Sequence, residues 1–202
     1  MFRMPGFADL LLSVPAVLWA VTFHEFCHGY MAYRLGDPTA AMRGRLSLNP
    51  LRHLDPVGAL MLLLFRFGWA KPVPVDPRYF KKPKRDMFLV SIAGVAGNFL
   101  TAAAVGLLAR TFPSPFLTNP ALRQFMILMV IINLGLAVFN LIPIPPLDGS
   151  KLLYPFLPPS LLEKYFLLER YGFFILMILV ALGVVQAIMG PVVMFFFSLI
   201  FF

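Results

Sequence analysis

The sequence predicts an all-α membrane protein, a polytopic helical bundle of about four spanning helices with a short re-entrant or β-hairpin-like segment between the first two. Three observations carry this. Of 202 residues, 60% are hydrophobic and only 13% charged, where a soluble domain averages about 45–50% apolar and about 25% charged. Four stretches without charge approach or exceed the ~20 apolar residues needed to cross a bilayer, and a fifth apolar run is too short to cross as a helix. Mean hydropathy is +0.84, which with 22 Phe and 11 Met excludes disorder and a collagen-like chain. The single Cys27 excludes a disulfide-stapled scaffold, since it has no partner in the chain. A chain of this length is read as one domain, 1–202.

The first span is free of charge from Leu10 to Phe23, and its helical pattern continues through His24, Glu25 and His28 to about Leu35. No small-residue cleavage pattern precedes His24, so this segment is read as a helix of the protein and not a removed signal. The second and third spans are Met87–Ala109 and Gln124–Ile142, and the fourth is Tyr171–Phe202. The last is long for one straight crossing, and Gly190-Pro191 is where it is expected to kink or end. Val57–Phe65 is the short run, read as re-entrant or interfacial. Around Ser160 the pattern Ser-Leu-Leu-Glu follows Pro158-Pro159 as a capping box, which predicts a surface helix over about 160–170.

The formal charge is 17 − 9 = +8 and the pI is near 10. No basic stripe with interleaved aromatics accompanies it, so nucleic acid is not expected as a partner. The cations instead read as cytoplasmic loops and contacts to anionic lipid. If Val57–Phe65 does not cross, residues 36–86 and 143–170 share one side and hold most of the cations, against Arg110 and Arg123 in 110–123. The cation-rich side is then cytoplasmic. The cluster Lys81-Lys82-Pro83-Lys84-Arg85, beside Met87, is read as anchoring the second span by lipid contact.

His24-Glu25-Phe26-Cys27-His28 matches HExxH, which sets two imidazoles one helical turn apart to face one metal, with a glutamate able to act on metal-bound water. Three ionisable groups in five residues are costly in a membrane helix and persist mainly where they bind or react. Cys27 is read as small buried packing. A catalytic zinc usually takes three protein ligands and a water, so a third ligand must come from elsewhere. The candidate is Asp148, at the end of Asn140-Leu-Ile-Pro-Ile-Pro-Pro-Leu-Asp148-Gly149. By the parity just described, the first and third helices both run inward, which delivers Asp148 to the side of His28. His53 and Asp55 read first as loop residues, with the alternative that His53 reaches the site and stabilises an oxyanion.

These motifs resemble the site-2 protease family of intramembrane zinc metalloproteases, in a compact form. The likeness rests on His24–His28 in the first helix, Gly94-Val95-Ala96-Gly97-Asn98 in the second, and Asn140 through Gly149 after the third. It covers a three-helix catalytic core, about residues 8–150, leaving the surface helix and a C-terminal membrane segment, 171–202. Val95 departs from the proline of the family's GPxxN element, and the loops have no room for an inserted PDZ or CBS domain.

The resemblance implies that His24, His28 and Asp148 bind one Zn²⁺ per chain and that Glu25 activates water. It further implies that Asn98 and Asn140 help hold substrate or shape the site. The implied substrate is a transmembrane protein segment, cleaved at a bacterial or archaeal inner membrane from the cytoplasmic side. Such a segment must be unwound before attack, and either Arg43–Leu48 or Phe67–Val75 is a candidate edge to hold it extended. Pro72 and Pro74 confine the second to an edge. Two other readings are a zinc hydrolase of a lipid or small amide, and a non-catalytic metal-binding membrane protein. Intact Glu25 weighs against the latter, and no motif specifies an oligomeric state.

Overall fold

The computed structural model describes residues 7–58, 61 and 70–201, with side chains from residue 11 onwards except at a few positions between 159 and 167. Its elements are helices: α1 (Phe7–Arg34), α2 (Thr39–Met42), α3 (Pro83–Thr111), α4 (Pro113–Thr118), α5 (Pro120–Asn140), α6 (Asp148–Leu152), α7 (Pro159–Ala181) and α8 (Val184–Phe201). Short 3-10 turns at Pro50–Arg52 and Pro77–Tyr79 interrupt the segment between α1 and α3. Among the described residues, four helices, covering Leu11–Arg34, Pro83–Thr111, Pro120–Asn140 and Val184–Phe201, are long and apolar enough to span a membrane. At 1.5 Å per residue the shortest, α8, reaches about 27 Å, close to a hydrocarbon core. The protein is an all-α polytopic bundle.

The ends of the spans are set by local chemistry. Pro83 and Pro120 stand in the first turns of α3 and α5, where a missing N–H costs nothing. The Asn119 side chain accepts from the amides of Ala121 and Leu122 and so caps α5. Asp86, nearly fully buried in the first turn of α3, accepts from the Lys82 amide at 3.0 Å.

Helices α1, α3 and α5 pack on one another as the core of the bundle. Helix α8 covers its far end, where Val193, Phe196, Phe197, Ile200 and Phe201 pack against buried Ala102, Val130 and Leu134. At the other end Ala32, Phe80 and Val90 join α1 to the loop before α3 and to α3 itself. The link between α5 and α6, which contains a cis Pro145-Pro146 bond, is covered by Leu176 of α7 and Val185 of α8 packing on Leu147.

Three boundaries differ from the sequence expectation. The surface helix expected over 160–170 and the first part of the segment expected over 171–202 form one helix, α7. Its N-cap position is Pro158, with no side-chain cap, so Ser160 is not a capping residue. The break falls at Gly183, whose φ of +74° lets the chain turn left-handed, and not at Gly190-Pro191. Pro191 lies inside α8. In apolar surroundings a continuous helix that lacks one N–H exposes fewer backbone groups than a new turn would.

The expected run Val57–Phe65 falls mostly outside the described residues. The described chain on either side pairs as a hairpin would, through one antiparallel bridge between Leu54 and Ala70 and a bond from Lys71 N to His53 O at 2.9 Å. Arg43–Leu48 is turn and bend, not a strand, so it does not supply the expected edge. Residues 71–76 form neither helix nor a paired strand. Residues 67–69 lie outside the described residues.

Candidate metal centre

The two histidines of HExxH stand on one face of α1, and α6 begins at Asp148 beside them. His24 Nε2, His28 Nε2 and Asp148 Oδ2 form a nearly equilateral triangle, with His24–His28 2.9 Å, His24–Asp148 3.0 Å and His28–Asp148 2.9 Å. All three residues are buried, at 5%, 8% and 7% exposure. Among the described residues they are the one group of three His, Cys, Asp or Glu able to hold a metal. This meeting of α1 with the residues after α5 is what the parity of the spans predicts.

The hydrogen bonds behind the histidines decide what this triangle can be. The carbonyls of Val90 and Ala20 can only accept. His28 Nδ1, 2.8 Å from Val90 O, therefore carries a proton. The Asn98 amide nitrogen donates to Ala20 O at 3.0 Å and to Asn133 Oδ1 at 2.9 Å, which turns Asn98 Oδ1 to His24 Nδ1 at 2.7 Å as an acceptor. His24 Nδ1 is therefore also a donor. With these Nδ1–H tautomers, the two Nε2 lone pairs would face each other and a carboxylate oxygen. Three acceptors converging in a buried space repel unless a cation lies among them. Ligands of one tetrahedral zinc, bound at about 2.0–2.1 Å, stand about 3.3 Å apart, close to the observed edges, so the donor set fits zinc.

Gly94 makes the approach possible. A Cβ built there would lie 2.5 Å from His28 Cε1 and Nε2 and 2.8 Å from His24 Cε1, so α3 lays bare backbone against both rings. On the other side of Asp148, Lys151 Nζ stands 3.7 Å from Oδ1, leaving Oδ2 to the histidines. Glu25 Oε2 accepts from the backbone N–H of Val73 at 2.7 Å.

The segment that carries Val73 is held at several points. The buried Arg45 guanidinium donates to Lys71 O and Pro72 O. The fully buried Asp37 carboxylate accepts from Asp76 N at 2.7 Å and from Thr39 N at 2.9 Å. Nearby, the exposed Arg78 donates to the partly buried Asp76 carboxylate, which lowers its pKa to about 2.

Of the other residues anticipated from the sequence, Asn98 is within hydrogen-bond reach of the group. Asn140 donates to Leu136 O within its own helix, at 3.0 Å. His53 is fully buried, with Nε2 2.7 Å from Ser47 O, and is not part of the metal-binding group. Sequence reasoning missed Asn133, Arg45, Asp37, Lys151 and the Val73 amide. Asn133 carried a readable signal, because an amide in the middle of an uncharged span is costly unless it is bonded. The amide of Val73 carried none, since every non-proline residue has one.

The family model for peptidase family M50 matches residues 115–182. The chain is 41% identical over 172 residues to "Putative zinc metalloprotease YwhC" of Bacillus subtilis, spanning 82% of this chain and 78% of that protein. It is 30% identical over 174 residues to "Putative zinc metalloprotease Rip2" of Mycolicibacterium smegmatis, spanning 84% and 66%. It is 31% identical over 156 residues to the protein of that name in Mycobacterium tuberculosis, spanning 74% and 59%. No solved structure matches the chain. A buried His-His-Asp triangle fit for zinc, an HExxH helix in a membrane bundle and this extent of identity lead to one conclusion: the chain belongs to peptidase family M50, the site-2 protease family of zinc metalloproteases.

Proposed function

We propose that the protein is an intramembrane zinc metalloprotease, hydrolysing peptide bonds in or near transmembrane segments of membrane proteins, as in regulated intramembrane proteolysis. The observation that carries this is the buried His24-His28-Asp148 triangle fit for zinc with Glu25 beside it, three of the four on a membrane-spanning helix, and a non-helical segment, residues 71–76, whose Val73 amide is bonded to that glutamate. In this reading His24, His28 and Asp148 hold one zinc ion per chain. A zinc ion held there would supply Lewis acidity for the scissile carbonyl and lower the pKa of the attacking water. Glu25 receives the proton of that water and passes it to the leaving amine. The Val73 amide occupies Oε2 and leaves Oε1 for the proton. Asn98 keeps His24 in the tautomer that presents Nε2. Asn140 and His53 shape the surroundings, His53 by tying Ser47 into the loop that pairs with Lys71.

A helical peptide bond is shielded by its own hydrogen bonds, so substrate must be extended before attack. Within residues 71–76 the bonds to His53, Arg45, Glu25 and Asp37 occupy groups of Lys71, Pro72, Val73 and Asp76. In this reading substrate therefore pairs with the carbonyls of Val73 and Pro74 and the backbone of Val75, and Pro72 and Pro74 keep that edge from joining other strands. The metal-binding end lies beside the cation-rich loops, and the positive-inside rule supports a reading in which it faces the cytoplasm.

The test is cleavage of single-pass membrane substrates in liposomes by wild type, Glu25→Gln and Asp148→Ala, with zinc measured on each. The expected result is about one zinc per chain in wild type and Glu25→Gln, less in Asp148→Ala, and cleavage by wild type alone. Full zinc in Asp148→Ala would overturn the ligand set. Bound zinc with no peptide cleaved, but lipid or amide turnover, would overturn the protease assignment.

A further inference from the structure

A cavity of about 270 Å³ lies where α1 ends and α3 begins, lined by Arg34, Leu35, Lys81, Lys82, Arg85 and Asp86. Arg34 is the last residue of the first spanning helix, and Pro83, next to Lys82, is the first of the second. The cavity therefore opens at the level where a spanning helix leaves hydrocarbon and meets lipid headgroups. Four cationic side chains from two elements face one space. The one carboxylate among them, Asp86, is nearly fully buried and bonded to the Lys82 amide at 3.0 Å. Arg85 Nε stands 3.9 Å from it, so Asp86 offsets one charge and about three remain, from 4 − 1. Arg34 also donates to Tyr30 OH at 3.3 Å, a neutral partner that leaves its charge uncompensated.

We infer that this cavity binds the phosphate of an anionic phospholipid headgroup, held between Arg34 of α1 and Lys81, Lys82 and Arg85 at the start of α3. A phosphodiester accepts several charge-assisted bonds at once, and the amide end of α3 favours an anion in the same place. The acyl chains have apolar surface to follow, since Leu35 lines the cavity and Tyr33 is half exposed on the adjoining turn. The lipid is favoured over a soluble anion because the cavity sits at the ends of two spans, where headgroups are concentrated. The consequence concerns the site described above. Arg34 follows His28 by six residues, about 9 Å along α1. Lys82 precedes Val90, whose carbonyl holds His28, by eight residues of chain. An anion here relieves repulsion between the two helix ends that set the register of the histidines against α3. The inference rests on the chain spanning a membrane and not on its being a protease.

The test uses the purified full chain in detergent, with lipid retention read by native mass spectrometry against phosphatidylglycerol, phosphatidylcholine and inorganic phosphate. Each cation at a charged membrane surface contributes about 1 kcal/mol, about fivefold in affinity. Lys81→Gln/Lys82→Gln should therefore weaken retention of phosphatidylglycerol about 25-fold, and Arg34→Gln alone about fivefold. Arg110→Gln/Arg123→Gln, which removes the same charge from the other end of the bundle, should leave it unchanged. Zinc content and far-ultraviolet circular dichroism, both unchanged, show that the variants are folded. Equal retention of phosphatidylcholine would overturn the inference, as would equal loss in the Arg110/Arg123 control. Displacement of the lipid by millimolar inorganic phosphate would overturn the lipid as the source of the anion.

Discussion

Replacing Asn98 by leucine removes the acceptor behind His24 while leaving all three donor atoms of the metal-binding group in place. Asn98 and Asn133 are fully buried and His24 is 5% exposed, so water cannot replace what is lost. The 2.7 Å bond to Asn98 Oδ1 disappears, and His24 Nδ1–H is left as a buried donor with no partner. Such a group costs about 1–3 kcal/mol. His24 avoids that cost by moving its proton to Nε2, the nitrogen that faces the metal, or by rotating. Either response spends the same energy against zinc binding, at tenfold per 1.4 kcal/mol. Zinc affinity should therefore fall about 10–100-fold, the range typical of partners behind a ligating histidine.

Asn98→Asp separates this role from helix contact. A carboxylate still accepts from His24, but it faces the Ala20 carbonyl and Asn133 Oδ1 without a proton to donate, so thermal stability should drop while zinc affinity is largely kept. In Asn133→Leu the Asn98 amide loses one acceptor but keeps Ala20 O, and zinc affinity should fall less than in Asn98→Leu. The double variant should be little worse than Asn98→Leu alone. The assay is competition with a chromogenic chelator at fixed pH, alongside thermal unfolding. Zinc affinity in Asn98→Leu within twofold of wild type would refute the reasoning.

Three further outcomes follow from the same geometry. Gly94→Ala puts a methyl 2.5 Å from the His28 ring and should separate α1 from α3, seen as zinc loss together with lower thermal stability. Val73→Pro removes the N–H held by Glu25, a bond to a charged group worth about 1.5–3 kcal/mol. It should lower kcat about tenfold or more with zinc content intact, and normal turnover in that variant would show that the bond plays no part in catalysis. Burial and the facing Glu169 carboxylate raise the pKa of the Tyr154 phenol, which donates to Glu169 at 2.7 Å. Its folded-state pKa lies above the unfolded value of about 10, so the stability it gives is complete below that pH and is lost as pH rises beyond it. Tyr154→Phe should flatten the alkaline limb of a stability profile.

The legible part of this protein was local in sequence. A helix repeats every 3.6 residues, so HExxH alone dictates that His24 and His28 share a face of α1. Uncharged runs located the first three spans, and counting them brought Asp148 to the side of the histidines. Boundaries were less legible where two breakers competed. Gly190-Pro191 has the stronger composition signal, yet Gly183 is where the chain turns, because packing of Leu176 and Val185 on Leu147 brackets that point.

What the sequence by itself determined was the membrane bundle, the metal-binding chemistry and the side of the bundle on which it assembles, since each follows from spacing along one chain. Only the tertiary structure decided which groups surround that chemistry. It chose Asn98 backed by Asn133 as the partner of His24, gave Val90 O to His28, seated the Val73 amide on Glu25, and kept His53 with Ser47 apart from the metal-binding triangle. Except for His53 with Ser47, six positions away, these are bonds between residues tens of positions apart, several to backbone atoms that every residue type carries. Residue identity does not encode them; the packing of α1, α3 and α5 does.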